Sequence, residues 1–278
     1  MNNKRSLVLY HDNCPDGFTA AWVAWLSLQD NADYIAVNYG QPIPDVDIFR
    51  PIYILDFSYS RDNMLHLLNE HKARVVVLDH HKTAQSALEG LPDCIFDMNE
   101  SGASLTWRFF NPNATMPNLV SYVKDRDLWL WKLPHSREIS EFMFSIDRQF
   151  SEWSKADEAI SFYYDNVVEQ GAAMLRLKRT RVAKVCENVR WLTFGNVNIP
   201  VVNTSWDFSE IGEYLCEQFP NALCGGYYFD RVDKRQWGFR SRTVNGKVSF
   251  DVSALCKQYG GGGHQAAAGF TSEIGWLP

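Results

Sequence analysis

Apolar runs that end in polar residues alternate with helical patterns in the first half of the chain. The runs of strand length are at residues 6–10, 52–55, 75–78 and 95–97. Helical spacing of apolar positions occurs at residues 18–28, 60–71 and 105–110. Contiguous apolar runs with β-branched residues, such as Val75-Val76-Val77, are typical of strands buried on both faces of a parallel sheet. The alternation therefore predicts an α/β fold with a parallel sheet.

The second half of the chain has a different pattern. Residues 157–188 form one long helical pattern rich in Ala, Glu, Lys, Arg and Leu, which we interpret as a connector. Short β-like runs follow from Val189, at residues 190–194, 199–203, 224–229 and 236–242, with helical patterns at 208–218 and 252–259. We therefore predict a catalytic domain over residues 1–155, a helical connector over 156–188 and a smaller α/β domain over 189–278.

Three of the predicted strands run into residues that can bind metals. These residues are, in strand order, His11 and Asp16, then Asp56, then Asp79-His80-His81. The carboxyl ends of parallel strands lie at one edge of the sheet, so the side chains should converge there. One such residue alone is more often a cap or a turn residue. Together, His and Asp are common ligands of divalent metals, and their convergence predicts a metal centre.

A further acid could complete the ligand set. Asp125 and Asp127 follow an apolar stretch, and Asp125 is the preferred candidate. The alternative is an ion pair with Arg126 or Lys132, and for Asp127 the two interpretations weigh equally.

A run of four glycines before His264 marks the C-terminal region. Glycines let a backbone approach a ligand closely and expose N–H groups to a phosphate. A helix of small residues is expected after them. Arg240 and Arg242 lie on a predicted strand and suit bidentate phosphate contacts. The alternatives are a flexible loop beside a packed alanine helix, and arginines exposed on a strand.

Charge and cysteine content restrict the partners and the compartment. A net charge of −6 argues against a broad basic surface for duplex nucleic acid, although a local basic pocket remains compatible with it. The six cysteines show no CxxC pair, which favours reduced thiols in a cytosolic protein. The apolar run near the N-terminus is too short for a signal peptide or a membrane span. We therefore expect a soluble, cytoplasmic protein with no membrane partner.

Three motifs carry a resemblance to a known family. They are His11…Asp16-Gly17, Asp79-His80-His81, and the glycine run with His264 and Ala267-Ala268-Gly269-Phe270. Their order and spacing resemble the DHH phosphoesterase superfamily in its two-domain DHH–DHHA1 form, over nearly the whole chain. Phe239-Arg240-Ser241 resembles the Leu-Arg-Ser element that precedes the glycine motif in that family. Within it, the chain is most similar to the oligoribonuclease and nucleotide phosphodiesterase branch.

The resemblance implies a phosphodiesterase that uses Mn²⁺ or Mg²⁺, usually two ions, in a DHH domain joined to a smaller DHHA1 domain. The implied metal ligands are His11, Asp16, a bridging Asp56, His80, and Asp125 or Asp127. The implied catalytic residues are Asp79, His80 and His81, of which Asp79 and His81 would orient ligands or meet the scissile phosphate. The implied substrate-binding residues are Arg240, Gly261, Gly262, Gly263 and His264. A homodimer is compatible with the resemblance.

One position departs from the family pattern. The usual first motif has two Asp residues flanking a single position, and alignment on Asp16-Gly17 puts Cys14 at the first of them. A shift of the loop could bring Asp12 there instead. Otherwise one metal position is weakened, or Cys14 binds a softer ion. An ordinary buried thiol is the simplest interpretation of Cys14.

The expected reaction is hydrolysis of short oligonucleotides, dinucleotides or cyclic nucleotides to mononucleotides by a metal-activated water, with Mn²⁺ as the first choice. Candidates for base stacking are Trp129, Trp131, Trp206 and Trp237, although packing is the commoner role of a Trp. One alternative is a phosphohydrolase acting on pyrophosphate, polyphosphate or a nucleotide 3′-phosphate. Another is a non-catalytic nucleotide-binding protein with a degraded centre. RNA, DNA and cyclic substrates stay open, as does the polarity of cleavage.

Overall fold

The computed structural model describes residues 5–45, 51–70, 74–244 and 247–278. The chain divides into two units, Met1–Leu175 and Arg176–Pro278. Among the described residues, no helix combines the length and the apolar character that crossing a membrane would need.

A parallel sheet organises the first unit. Its strands are β1 Ser6–His11, β2 Ala32–Val37, β3 Ile52–Leu55, β4 Val75–Asp79 and β5 Cys94–Phe96. They lie in the order β2-β1-β3-β4-β5, and every neighbouring pair is parallel. The predicted parallel sheet is confirmed. The sequence analysis did not assign β2, an edge strand that is buried only at its two ends, Ala32 and Val37.

Helices follow the strands, as the alternation predicted. Those that begin in the first unit are α1 Pro15–Leu28, α2 Arg61–Glu70, α3 Lys82–Ala87, α4 Gly102–Phe110, α5 Asn118–Asp127, α6 Ser136–Phe144, α7 Phe150–Phe162 and α8 Tyr164–Cys186. The prediction for residues 60–71 is confirmed over Arg61–Glu70, while position 71 lies outside the described residues. A proline at the first position of α1 starts that helix three residues earlier than predicted, since proline lacks an N–H that the first turn would leave unpaired.

Both faces of the parallel sheet are covered by apolar side chains. Along β1, Leu7 and Leu9 belong to one core cluster and Val8 to the other. Strand β4 alternates in the same way, with Val75 and Val77 on one face and Val76 on the other. This two-sided burial explains the contiguous apolar runs, because every position of a central strand must be apolar. It leaves the strand ends as the place for polar side chains.

The long helical pattern predicted at residues 157–188 is interrupted. Helix α7 ends at Phe162, and α8 begins at Tyr164 after a non-helical residue with φ −128° and ψ 37°. The internal Gly171 of α8 packs against α6, where a Cβ atom would lie 1.9 Å from the Glu138 carbonyl oxygen. The division between the two units falls within α8, and the role of this segment as a connector stays a prediction.

The second unit contains a mostly antiparallel sheet. Its strands are β6 Arg190–Phe194, β7 Val197–Asn203, β8 Cys224–Asp230, β9 Lys234–Ser241, β12 Gly262–Gly263 and β13 Ala267–Glu273, and a separate pair is formed by β10 Thr243–Val244 and β11 Lys247–Val248. The helices are α9 Phe208–Gln218 and α10 Val252–Lys257. The sheet order is β12-β13-β9-β8-β7-β6, in which β7 and β8 are parallel. The mixed α/β character predicted for this region is confirmed.

The expected helix of small residues after the glycine run is wrong. The segment is a β-hairpin in which Gly262 pairs with Gly269 and Gly263 with Ala268. Strand β13 also pairs with β9 along its length. These ladder hydrogen bonds outweigh the helix propensity of three consecutive alanines, which is a weak preference beside tertiary pairing.

Candidate metal centre

The loop between β1 and α1 supplies the first polar residues of the site. His11 is the last residue of β1, and Asp16 lies in the first turn of α1 with 1% of its surface exposed. Both Asp16 carboxylate oxygens accept backbone N–H groups at the start of α4, from Gly102 at 2.6 Å and Ala103 at 3.0 Å. A helix N-terminus offers free N–H groups to an anion, so α4 holds this carboxylate in place.

Two glycines allow the close packing around these side chains. A Cβ atom on Gly17 would lie 2.3 Å from the carbonyl oxygen of His11, and one on Gly102 would lie 2.4 Å from the Cβ atom of Asp56. Real Cβ atoms do not approach so closely, so larger residues would displace the ligand-bearing loops. The glycines are therefore part of the site's construction rather than simple turn residues.

Asp56 lies at the centre of the polar cluster. It follows β3 with a left-handed φ of +55°, is 1% exposed, and neither of its carboxylate oxygens has a hydrogen-bond partner among the described residues. Two imidazoles face it: His80 Nε2 is 3.2 Å from Oδ1, and His11 Nδ1 is 3.5 Å from Oδ2. The Nδ1 atom of His11 is also buried and lacks a hydrogen-bond partner in the described part of the chain. A buried carboxylate of this kind is costly unless a cation compensates it.

The Asp79-His80-His81 segment at the end of β4 divides its roles. Asp79 is fully buried, and its Oδ1 accepts the backbone N–H groups of His80 and His81 at 2.7 and 3.2 Å. The same oxygen is 2.6 Å from Nδ1 of His81, while Oδ2 accepts the Ser58 hydroxyl at 2.5 Å. Asp79 is thus saturated with hydrogen bonds and orients the two imidazoles. His80 instead turns its Nε2 toward the acids.

The structure distinguishes between the two candidate acids at the end of α5. The carboxylate of Asp125 accepts the backbone N–H groups of Lys132 at 3.0 Å and Leu133 at 3.2 Å, which fixes the following turn. Asp127 instead places Oδ2 3.4 Å from Nε2 of His80. This geometry favours Asp127 and reverses the preference for Asp125 that the sequence suggested.

Three overlapping triads of possible metal ligands contain Asp56, and one of them joins it to Asp79 and His81. Ligand atoms of His11, Cys14 and Asp56 lie within 4.8 Å of one another, and so do those of Asp16, Asp56 and His80. Asp56 is common to these triads, as a carboxylate that bridges two ions would be. Asp12 is directed elsewhere, since its carboxylate accepts the side-chain amides of Asn13 and Asn38 at 2.7 and 3.1 Å. Imidazole and carboxylate groups in this arrangement fit divalent cations such as Mn²⁺.

The pKa shifts have the directions expected when acids crowd together without a cation. Burial, together with the charges of Asp56 and Asp127, raises the pKa of Asp16 well above its usual value. Burial would also raise the pKa of Asp56, but the imidazoles of His11 and His80 outweigh it and lower that pKa. Although burial opposes it, the surrounding carboxylates raise the pKa of His80 to about 10. Protons therefore balance the charge here, in a place where a metal ion would displace them.

The residues predicted to bind substrate lie in the second unit. Arg240 on β9 donates from Nε and Nη2 to the Ser209 hydroxyl at 3.2 Å and from Nη1 to the Phe239 carbonyl at 3.0 Å. Its guanidinium also lies 5.7 Å from the centroid of the Tyr227 ring. Arg242 donates to the Pro220 carbonyl at 3.3 Å and is directed to the end of α9. Arg240 is therefore held in a fixed orientation on the sheet.

The glycine hairpin is built from close backbone contacts. A Cβ atom on Gly261 would lie 2.1 Å from the Gly269 carbonyl oxygen, whereas one on Gly262 would meet nothing within 4 Å. Gly263 has a φ of +138°, and His264 pairs through its backbone with Ala267 in a tight turn. Strand pairing places Ala267 opposite Arg240, so the two predicted C-terminal motifs lie side by side on one sheet.

The tryptophans suggested for base stacking have different surroundings. Trp237 is fully buried in the core of the second unit, which removes it as a platform. Trp206 is 70% exposed. Trp129 and Trp131 pack edge to face, and the guanidinium of Arg137 lies 4.2 Å from the Trp131 ring centroid. An aromatic group not singled out from the sequence, Tyr39, is 53% exposed, with its ring centroid 5.4 Å from that of His11.

Sequence reasoning also missed the groups that position the ligands. The N–H groups of Gly102 and Ala103 hold Asp16, and the Ser58 hydroxyl holds Asp79. The signal for the first was present, because Ser101-Gly102-Ala103-Ser104 reads as a helix start and Ser101 and Ser104 form a capping box there. Which carboxylate that helix start would contact is a long-range fact that local patterns do not contain.

Two known proteins are similar to this chain in sequence. No protein-family model matches the chain. An uncharacterized protein of Acanthamoeba polyphaga mimivirus is 29% identical, over 98% of this chain and 69% of its own length. The oligoribonuclease NrnB of Bacillus subtilis is 25% identical, over 80% of this chain and 60% of its own length. The aligned part thus leaves a substantial portion of each relative unmatched.

Solved structures share the fold at low sequence identity. The pGpG-specific phosphodiesterase PggH of Vibrio cholerae has a TM-score of 0.51 and 16% identity, over 98% of this chain and 94% of that one. The exonuclease RecJ bound to manganese has a TM-score of 0.50 and 15% identity, and the match covers 98% of this chain and 87% of RecJ. The DHH domain of a protein that belongs to a family of ribosomal proteins has a TM-score of 0.52 and 14% identity. The match covers 97% of this chain and 83% of that domain's chain.

These likenesses define the class of fold as the α/β architecture of the DHH proteins. The chain has the fold of these DHH-type structures, which agrees with the fold that the resemblance of its three motifs implied.

Proposed function

We propose that the chain is a metal-dependent phosphodiesterase that hydrolyses short oligonucleotides or dinucleotides, linear or cyclic, to mononucleotides. Residues 1–155 would carry the catalytic centre, residues 156–188 the connector, and residues 189–278 the contacts to the rest of the substrate. The names of three proteins of similar sequence or fold support this class of reaction, since they denote an oligoribonuclease, a pGpG-specific phosphodiesterase and an exonuclease.

The observation that carries the proposal is the burial of the Asp56 carboxylate without a hydrogen bond. This carboxylate is buried, has no hydrogen-bond partner among the described residues, and belongs to three ligand triads. Natural proteins rarely leave a buried carboxylate without a hydrogen bond, so a group that has only nearby imidazoles calls for an explanation. Two divalent ions sharing Asp56 supply that explanation, and the manganese bound to RecJ supports Mn²⁺ as the ion.

In this proposal the ligands of one ion are His11 and Asp56, and those of the other are Asp16, Asp56, His80 and Asp127. When bound, such ions acidify water and offset the negative charge of a phosphodiester. Asp79 keeps His80 and His81 in their orientations through its hydrogen bonds. His81 is the N-cap residue of helix α3 and is partly exposed, so its imidazole can reach the phosphate group and hold or supply a proton.

A cleft next to the centre offers room for one nucleotide. Its volume is about 590 Å³, and it is lined by segments that follow β2 and β3 and by α3, among them Tyr39, Ser58 and Thr83. This size is within the usual range for small-molecule sites. Ser58 joins the cleft to Asp79, and the exposed ring of Tyr39 at its rim can stack on a base.

In this proposal, residues of the second unit bind a phosphate group. Arg240 offers a pre-oriented guanidinium for a phosphate, and the backbone of Gly261, Gly262 and Gly263 allows a ligand to approach closely. The imidazole of His264, in the turn of the same hairpin, would contact the same group.

Product analysis with the purified chain tests the proposal. The protein is incubated with Mn²⁺ and linear RNA or DNA of two to about ten nucleotides, cyclic mono- and dinucleotides, or pyrophosphate. Release of mononucleotides from the short strands is expected, together with its loss in Asp56→Asn. The matched control is Asp62→Asn on α2, which changes an exposed acid outside the site.

The other outcomes decide between the alternatives. Orthophosphate from pyrophosphate, with no nucleotide product, would replace this proposal with a phosphohydrolase. Nucleotide binding without turnover under Mn²⁺, Mg²⁺ or Co²⁺ would replace it with a non-catalytic nucleotide-binding protein.

A further inference from the structure

The thiol of Cys14 points into the first ligand triad. Its Sγ atom, a ring nitrogen of His11 and a carboxylate oxygen of Asp56 lie within 4.8 Å of one another. Cys14 occupies the N-cap of α1, yet its side chain makes no capping hydrogen bond there.

The neighbours of this thiol independently point to a cation. The Nδ1 atom of His11 and both carboxylate oxygens of Asp56 are buried and have no hydrogen-bond partner within the ranges that the structure describes. Asp56 itself is 1% exposed. An imidazole nitrogen, a carboxylate oxygen and a sulfur atom that converge in this way form three corners of a coordination shell.

We infer that Cys14 is a metal ligand and that it makes the His11–Cys14–Asp56 position selective for a thiophilic divalent ion such as Zn²⁺ or Co²⁺. The inference rests on the two-ion centre proposed above. It adds that the two positions differ in chemistry. Thiolate and imidazole ligands favour softer ions, whereas oxygen ligands favour Mn²⁺ and Mg²⁺.

The second position lacks a sulfur ligand among the described residues. Its members are the carboxylates of Asp16, Asp56 and Asp127 with the single imidazole of His80. This set suits Mn²⁺. The centre would therefore hold a softer ion at the Cys14 position and a harder ion at the other, with Asp56 common to both. Binding at the Cys14 position releases the thiol proton to solvent, because the thiolate is the coordinating form.

Cobalt titration of the metal-free chain tests the inference without any substrate. Coordination of Co²⁺ by a thiolate produces a sulfur-to-metal charge-transfer absorption in the near ultraviolet. This absorption is expected in the unchanged chain and absent in Cys14→Ser. The affinity for Cd²⁺, a thiophilic ion, should fall at least about tenfold in Cys14→Ser, while Mn²⁺ binding at the other position changes less.

A matched control and a reverse substitution sharpen the test. Cys94 is also partly exposed and belongs to the same unit, but it lies on β5 and is in none of the triads that contain Asp56, so Cys94→Ser should keep the absorption. Cys14→Asp replaces sulfur with oxygen, and it should raise the affinity for Mn²⁺ while lowering that for Cd²⁺. Circular dichroism of each variant checks that it is folded.

The result that would overturn the inference is equally direct. An absorption that persists in Cys14→Ser, or its absence in the unchanged chain while Co²⁺ binds, would show that the thiol is not a ligand. The outcome is separable from the proposed function. If the absorption is present and no substrate is hydrolysed, the ligand assignment stands and the function fails. If the absorption is absent and mononucleotides are released, the proposed function stands and the assignment of Cys14 as a ligand fails.

Discussion

The two predicted sites of the chain satisfy their polar groups in opposite ways. In the first unit, buried atoms of Asp56 and His11 have no hydrogen-bond partner among the described residues. In the second unit, Arg240 is hydrogen-bonded to Ser209 and to the Phe239 carbonyl, and the glycine hairpin closes on itself through strand pairing. The comparison shows that the fold leaves buried polar atoms of the first site without hydrogen bonds. In the second site, Arg240 and the glycine hairpin have their hydrogen-bond partners within the same unit.

Replacing Asp56 with Asn should break the first site most severely. The change removes the charge that the Asp56-containing ligand triads share, while it preserves the shape of the side chain. Hydrolysis should therefore fall at least about 100-fold. The rise in melting temperature that Mn²⁺ gives the unchanged chain should also disappear, since an ion that binds only the folded state stabilises it by mass action. Thermal unfolding with and without Mn²⁺ measures this. An unchanged shift would exclude Asp56 as a ligand.

The acids at the end of α5 should respond differently from each other. Asp127→Asn removes a carboxylate beside His80, and the Mn²⁺ affinity should fall about tenfold. Asp125→Asn weakens two backbone hydrogen bonds in the following turn, so the free energy of unfolding should fall by about 1–2 kcal/mol with little change in affinity. Calorimetric Mn²⁺ titration and urea unfolding of both variants measure this pair. The opposite assignment of effects would restore Asp125 as the ligand.

A methyl group at Gly102 should disturb the centre without removing any ligand. The new Cβ atom would lie 2.4 Å from Cβ of Asp56, so α4 or the loop after β3 must move. We expect Gly102→Ala to lose about 1–3 kcal/mol of stability and to bind Mn²⁺ several-fold more weakly. Mn²⁺ titration of the folded variant is the measurement. Normal affinity would mean that the position of Asp56 is not tightly fixed.

Two adjacent glycines of the hairpin provide the mildest test, within the second unit. Gly261→Ala places a Cβ atom 2.1 Å from the Gly269 carbonyl oxygen and should destabilise the chain by about 1–3 kcal/mol. Gly262→Ala meets nothing within 4 Å and should change stability by no more than about 0.5 kcal/mol. If Gly262 contacts substrate, its variant will raise KM for dinucleotides while unfolding normally. Equal stability losses in the two variants would contradict the hairpin geometry.

Much of the fold was predictable because it rests on local patterns. Strands buried on both faces must be apolar throughout, and their ends at one edge predicted which polar residues would meet. His11, Asp16, Asp56 and His80 do meet there. The edge strand β2 was not predicted, and its apolar residues Ile35 and Ala36 are exposed rather than buried in the core.

What could not be predicted depends on contacts between distant residues. The preference for Asp127 follows from the turn after α5, in which Trp129 and Trp131 adopt left-handed φ values of 54° and 52° and the N–H groups of Lys132 and Leu133 reach Asp125. Bulky residues seldom adopt this conformation, so no local pattern indicates it. The alanines after the glycine run likewise became a strand through pairing with β9, a partner almost thirty residues earlier.

The left-handed backbone of Asp56 constrains that position twice. A residue there must carry the shared charge and also tolerate a φ of +55°, which Asp, Asn and Gly do far more readily than other residues. A library randomised at position 56 should therefore yield two nested sets of survivors. Selection for a folded chain would retain Asp, Asn and Gly, and selection for catalysis would retain Asp alone, because Glu carries the charge but accepts that backbone poorly.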